Sequence, residues 1–126
     1  MEVVRRAIAS FLTDVEAWLD TMDPAIKWYP LEEGHSLVLG REAALRSRER
    51  WKETFARESH HAELTELRGE GENVVAAVYE RGQGRGSGVE IGDVAYMHYK
   101  VRNGKIVYCY EYTSREEALE AAGLRE

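Results

Sequence analysis

Residues 88–124 read GVEIGDVAYMHYKVRNGKIVYCYEYTSREEALEAAGL, and this stretch decides the fold. Two runs rich in Val, Ile and Tyr flank Arg102-Asn103-Gly104-Lys105. Asn-Gly between such runs is the strongest short-range signal for a β-hairpin, which predicts strands over 89–102 and 105–112. Ser114 followed by Glu117 predicts a capping box opening a short helix. Gly123 is suited to close that helix, because a left-handed φ costs glycine nothing. By parity Val107, Cys109 and Glu111 share one face of the last strand, and Tyr108, Tyr110 and Tyr112 share the other. The small apolar pair Val107 and Cys109 suits an interior, so Glu111 is an inward-facing acid that needs a physical account.

The rest of the chain extends this reading. Val4, Ile8, Phe11, Leu12, Val15, Trp18, Leu19 and Met22 recur at spacings of three and four, one apolar helical stripe. Asp14 offers an N-cap that would divide the stripe into two short helices. Asp23-Pro24 ends it, because proline disfavours the helical region for the residue before it. A short strand over 25–29 is closed by Pro30, and 31–40 lacks any period and reads as a loop. A second helix is expected from Gly40-Arg41-Glu42 to about Glu58, with Trp51 and Phe55 on one side at i, i+4. Strands over 62–68 and 73–83 follow, joined by a turn. Gly82, Gly84, Gly86 and Gly88 alternate with polar residues, which is not the dinucleotide spacing G-x-G-x-x-G. Glycines on one strand face mark a bend or a close backbone approach. Helices followed by a meander of long strands make an α+β protein: a curved antiparallel or mixed sheet with the N-terminal helices packed on its concave face.

Composition sets outer bounds. A chain of 126 residues fits one domain spanning 1–126 with a core of its own. The formal net charge of −6 argues against a nucleic-acid partner. The one cysteine, Cys109, has no intramolecular disulfide partner and suits a reducing compartment as a small buried hydrophobe. The first 20 residues are charged and amphipathic without a signal-peptide core, and no apolar run reaches membrane-span length. The expectation is a cytoplasmic protein with no membrane association.

The order of elements, with Trp28-Tyr29-Pro30, Gly40-Arg41-Glu42-Ala43, Gly86-Ser87-Gly88-Val89-Glu90, Arg102-Asn103-Gly104-Lys105-Ile106-Val107 and 117–124, resembles the SnoaL-like branch of the nuclear-transport-factor-2-like superfamily. Polyketide cyclases, ketosteroid isomerase and limonene epoxide hydrolase share that cone-shaped α+β barrel. The resemblance implies a deep apolar pocket for a small, largely hydrophobic ligand or substrate, with no cofactor, and often a homodimer through the outer sheet face. It does not imply one reaction, because the superfamily includes isomerases, dehydratases, cyclases, hydrolases and plain binding modules.

Glu111 and Arg81 are the candidate catalytic residues. The resemblance places Glu111 where epoxide hydrolases of this fold carry an aspartate in the last strand. A carboxyl in an apolar cavity has a raised pKa, which suits a general acid or base. The alternative is a buried structural glutamate held by Arg81 or a tyrosine. Tyr79-Glu80-Arg81-Gly82-Gln83 resembles the strand of those hydrolases bearing an Arg-x-Asp pair. Gln83 stands at the aspartate position, where it cannot shuttle a proton; Arg81 pairs with Glu111, anchors a ligand or is a solvated rim residue. Candidates for the pocket wall are Trp28, Trp51, Phe55, Tyr79, Gln83, Met97, Tyr99 and Cys109. His60 and His61 are adjacent and face opposite ways, with no further ligand at metal spacing, so no metal site is expected. His35 sits in the unpatterned loop, placed to cover the pocket mouth. Tyr96, His98, Tyr108 and Tyr110 are expected to form an outer aromatic patch and the homodimer surface.

Overall fold

The computed structural model describes residues 1–56 and 59–125. Two N-terminal helices, α1 (Glu2–Ser10) and α2 (Val15–Asp20), lead into strand β1 (Met22–Tyr29). A 3-10 turn (Leu31–Glu33), a short β2 (Val38–Leu39) and helix α3 (Arg41–Glu53) follow. Strands β3 (His61–Glu70), β4 (Asn73–Gln83), β5 (Glu90–Arg102) and β6 (Lys105–Tyr112) then run antiparallel in sequence, and α4 (Arg115–Ala122) comes last. The six strands make one mixed sheet in the order β2-β1-β6-β5-β4-β3, with β1 parallel to β6.

Local chemistry accounts for most boundaries. Asp14 caps α2 by accepting from the Ala17 amide at 3.1 Å, which divides the apolar stripe into two helices. The stripe ends earlier than its spacing suggests, because Met22 already belongs to β1. In the β5–β6 hairpin Arg102 pairs with Lys105, and Asn103 and Gly104 take φ of 50° and 73°. Two central residues with positive φ match the right-handed twist of the flanking strands. Ser114 Oγ accepts from the Glu117 amide at 3.3 Å, and Gly123 (φ 72°) closes α4. Helix α3 stops at Glu53 rather than near Glu58, because Phe55 bridges to Gly84 and the Ala56 amide donates to the Gln83 carbonyl at 2.6 Å. Of the expected final turn, Arg57 and Glu58 lie outside the described residues.

Side-chain packing follows the strand period. On the inner face Val74, Ala76, Tyr99, Ile106 and Cys109 pack with Val4, Ala7, Trp18, Ile26, Trp28 and Ala44. Fully burying an aliphatic or aromatic side chain contributes roughly 1.5–3 kcal/mol, so this cluster carries most of the cohesion. Arg48 is also buried, 4% exposed, and its Nε donates to the Phe11 carbonyl at 2.6 Å. That carbonyl lies just past the end of α1, where backbone acceptors lack helical partners, so Arg48 ties α3 to α1. Helix α4 packs on the opposite face, its Ala118, Leu119 and Ala122 against Val75, Tyr96 and Tyr112. Helices therefore cover part of both faces.

One irregularity alters the reading of β6. Lys100 pairs with Tyr108 but Val101 pairs with Ile106, so Val107 is an extra residue in the ladder. Ile106 consequently takes the inward place that strict alternation assigned to Val107. Cys109 and Glu111, beyond the bulge, face inward.

Candidate functional site

Between the N-terminal helices and the inner face of the sheet lies a cavity of about 380 Å³. Its walls are mostly apolar: Ile8, Phe11, Trp18, Ile26, Trp28, Val78, Met97, Tyr99 and Ile106 among others. Glu32, Glu80, Asp93 and Glu111 also line it, and among the described residues no lysine, arginine or histidine does.

Glu111 is 5% exposed and both of its carboxyl oxygens are engaged. Trp28 Nε1 donates to Oε2 at 2.8 Å, and the Leu31 amide donates to Oε1 at 3.1 Å. Trp28 is placed by the parallel pairing of β1 with β6, where it sits opposite Cys109. The 3-10 turn is held in turn by Glu33, which accepts from Ser47 Oγ at 2.8 Å and pairs with Arg50. His35 fixes the following loop, with Nε2 hydrogen-bonded to the Glu111 backbone carbonyl at 2.6 Å and its ring stacked on Tyr110 at 4.4 Å. The unpatterned segment is therefore pinned across the end of β6.

Burial pushes the Glu111 pKa up to about 8, and the negative charge of Glu32 adds to the rise; the Leu31 and Trp28 N–H groups pull the other way. Glu32 is an exposed residue that also lines the cavity. Burial is the chief reason its pKa is raised, followed by the charges of Glu80 and Glu33, against its own backbone hydrogen bond. Both carboxyls belong to the same cavity wall. Two carboxyls whose charges oppose each other in one cavity share one proton more readily than both ionise. Burial likewise drives the Tyr99 hydroxyl and Cys109 thiol well above their ordinary ranges, so both stay neutral.

Of the wall candidates named from sequence, Trp28, Trp51, Met97, Tyr99 and Cys109 line the cavity. Phe55, Tyr79 and Gln83 do not. Phe55 is 1% exposed and buried against Gly82, where a Cβ would meet its ring at 2.5 Å. Tyr79, Arg81 and Gln83 share the outer face of β4, because its inner face carries Val78, Glu80 and Gly82. Arg81 is exposed and makes no ion pair with Glu111. Glu80, missed by the sequence reading, takes the inward place on β4. Trp51 Nε1 and His60 Nε2 both bond to its Oε2, at 2.7 and 2.8 Å.

The outer face differs from expectation too. His98 is 3% exposed, bonded to Asn73 Oδ1 at 2.8 Å and covered edge-on by Tyr108. Tyr96 lies against α4. The remaining aromatic surface is a ladder of Tyr29, Tyr108, Tyr110 and Tyr112, with Lys100 Nζ over the Tyr108 ring at 4.8 Å.

No protein-family model matches the sequence, nor does any curated protein. Solved structures do match in shape. A protein from Catenulispora acidiphila with a ketosteroid isomerase-like fold, in complex with trimethylamine, superposes with a TM-score of 0.77 at 18% identity, covering 98% of this chain and 94% of that one. A SnoaL-like polyketide cyclase, so named provisionally, from Jannaschia sp. CCS1 gives 0.76 at 19% identity, covering 99% and 92%. TerC, co-crystallised with polyporic acid, gives 0.76 at 17% identity, covering 96% and 95%. The chain has the cone-shaped α+β fold of the SnoaL-like, NTF2-like and ketosteroid isomerase-like proteins. At these identities the likeness is one of fold, and among the described residues no helix is long and apolar enough to cross a membrane.

Proposed function

We propose that this protein binds one small, largely apolar molecule in the cavity and presents a single polar end of it to Glu111. The observation that carries this reading is a buried carboxyl in an apolar cavity of about 380 Å³, aimed by the Trp28 and Leu31 N–H groups. Apolar walls with a few placed polar groups are the usual make-up of a small-molecule site. Neighbours of the same fold carry trimethylamine and polyporic acid, which fits a scaffold used for small ligands. Calorimetric titration with a small neutral ketone such as 1-indanone tests it. Saturable one-to-one binding is expected, weakened at least about tenfold by the cavity-filling Ala95→Trp, in line with the few kcal/mol that steric crowding costs. Absence of binding to a series of such probes would sink the reading.

The second reading is acid-base catalysis on that molecule, an isomerase, cyclase, dehydratase or hydrolase with Glu111 as the proton-transferring group. Its support is the elevated Glu111 pKa, which lies near neutrality where proton transfer is effective in both directions. Carbon-13 NMR of the glutamate carboxyls would decide: one carboxyl titrating near 8 and lost in Glu111→Gln supports it, and a full complement of ordinary titrations removes it.

Assembly is a further part of the proposal. The half-buried ladder of Tyr29, Tyr108 and Tyr110 is suited to a homodimer contact, with Tyr96 and His98 already covered within the chain. Light scattering coupled to size exclusion should give twice the chain mass at micromolar concentration.

A further inference from the structure

Glu111 is not the only anchored carboxyl on the cavity wall. Glu80 has its Oε2 doubly occupied by Trp51 Nε1 and His60 Nε2, while Oε1 has no hydrogen-bond partner among the described residues. Its side chain is 15% exposed and lines the cavity, so this carboxyl keeps an uncommitted oxygen at the cavity wall. By contrast both Glu111 oxygens already accept an N–H.

The support behind Glu80 is rigid. The His60 side chain is 7% exposed, its ring stacked on Phe55 at 3.7 Å and 17° and edge-on to Trp51 at 6.1 Å. Its Nδ1 is buried without a partner. A buried N–H lacking an acceptor costs more than a bare ring nitrogen, so the proton sits on Nε2, where Glu80 accepts it. Phe55 is in turn locked against Gly82, two residues along the strand from Glu80. A functional carboxyl held in this way, by packed second-layer donors, keeps the orientation that proton transfer requires.

We propose that Glu80 is the proton acceptor of this cavity, through Oε1, that Trp51 and His60 are its positioning residues, and that the Glu32–Glu111 pair is the matching proton donor. The assignment rests on the pocket reading above and divides acid and base between two walls. In the step, Oε1 takes a proton from a C–H of the bound molecule and the C–H electron pair stays on the molecule. The oxygen that gains charge takes the proton held by Glu32 and Glu111. One proton leaves and one arrives, so the step is a proton shift that needs no co-reactant.

The test uses 5-nitrobenzisoxazole, a small neutral carbon acid, on the intact protein. A base removes its ring C–H proton; that electron pair completes the nitrile, the N–O bond breaks, and its pair leaves on the phenolate oxygen, read by absorbance. The wild-type protein is expected to give a saturable rate. Glu80→Gln keeps an oxygen for Trp51 and His60, so it should fold, as circular dichroism will check. It should lose about 100-fold in kcat, the lower end of a positioned base's contribution. His60→Phe, which keeps the stack but removes the donor, should move the midpoint of the kcat–pH profile upward with KM within twofold; a purely structural role would leave that midpoint in place. Arg81→Gln, on the outer face, should match wild type. A Glu80→Gln rate equal to wild type overturns the assignment, and so does a rate that rises only through pH 8, which would make Glu111 the base. A probe that binds, by quenching of tryptophan fluorescence, without Glu80-dependent turnover removes this inference alone. A probe that does not bind at all removes the pocket reading with it.

Discussion

The cavity holds two tryptophan–glutamate pairs, Trp28–Glu111 and Trp51–Glu80, built from the same side chains and put to different uses by their surroundings. Glu111 is buried with both oxygens occupied and Glu32 alongside, and its proton is held up to about pH 8. Glu80 has two donors on one oxygen and no hydrogen-bond partner among the described residues at the other. Residue type alone therefore does not assign a role; the number of N–H groups, their distribution and the nearest like charge do.

The largest way to break the contrast is through pH. The folded Glu111 pKa lies above its ordinary 4.5, so the folded state holds a proton that the unfolded chain releases. Its stabilisation is complete below about pH 4.5 and is lost as pH rises through about 8. The span corresponds to a loss on the order of 4 kcal/mol. Urea unfolding from pH 5 to 9 should show that decline in the wild type and a much shallower profile in Glu111→Gln. At pH 5 the variant should be the less stable of the two, because its one amide oxygen serves only one of the Trp28 and Leu31 donors.

Gly82→Ala strikes the other pair. A Cβ at 2.5 Å from the Phe55 ring forces that ring, and His60 with it, to move. Overpacking of this kind costs roughly 1–3 kcal/mol. Thermal unfolding should register the loss while the elevated Glu111 titration stays in place; movement of that titration would show that the two walls are not independent.

Trp28→Phe against Trp51→Phe sharpens the comparison. The first leaves a buried oxygen without its donor, at a cost of about 2 kcal/mol, while the second leaves Glu80 with His60, at about 1 kcal/mol or less. Equal losses in denaturant unfolding would contradict the asymmetry. The smallest effect belongs to Arg81→Ala, which should stay within about 0.5 kcal/mol and leave ligand affinity untouched, as for exposed residues generally.

How much of this was legible in the sequence depended on where alternation could be read. The β5–β6 hairpin, α4 with its cap and the inward Glu111 follow from turn chemistry and strand parity. Parity failed on β4, where 74–78 are all buried because α4 covers the outer side as the N-terminal helices cover the inner. With both faces apolar, nothing in Val74-Val75-Ala76-Ala77-Val78 says which is inside. A shift of one residue then exchanges Arg81 for Glu80. Gly82 held the missing signal: an inward glycine marks where the Phe55 ring approaches the backbone. The Val107 bulge could not be read, since an extra residue leaves no mark in an unbroken run of strand formers. Trp51, His60 and Glu80 meet only in three dimensions, their spacing set by the β3–β4 register and the end of α3.

The parallel pairing of β1 with β6 has a consequence for how the molecule is made. The Trp28–Glu111 bond joins residues 83 apart in the chain, with α3 and the β3–β5 meander between them. Contacts of such separation form late, since most of the closure entropy must be met before they contribute. On the ribosome the N-terminal helices and β1 emerge well before β6, so the Trp28 N–H waits for its acceptor until β6 has been synthesised. The carboxyl that defines the cavity is thus among the last parts of the fold to be set.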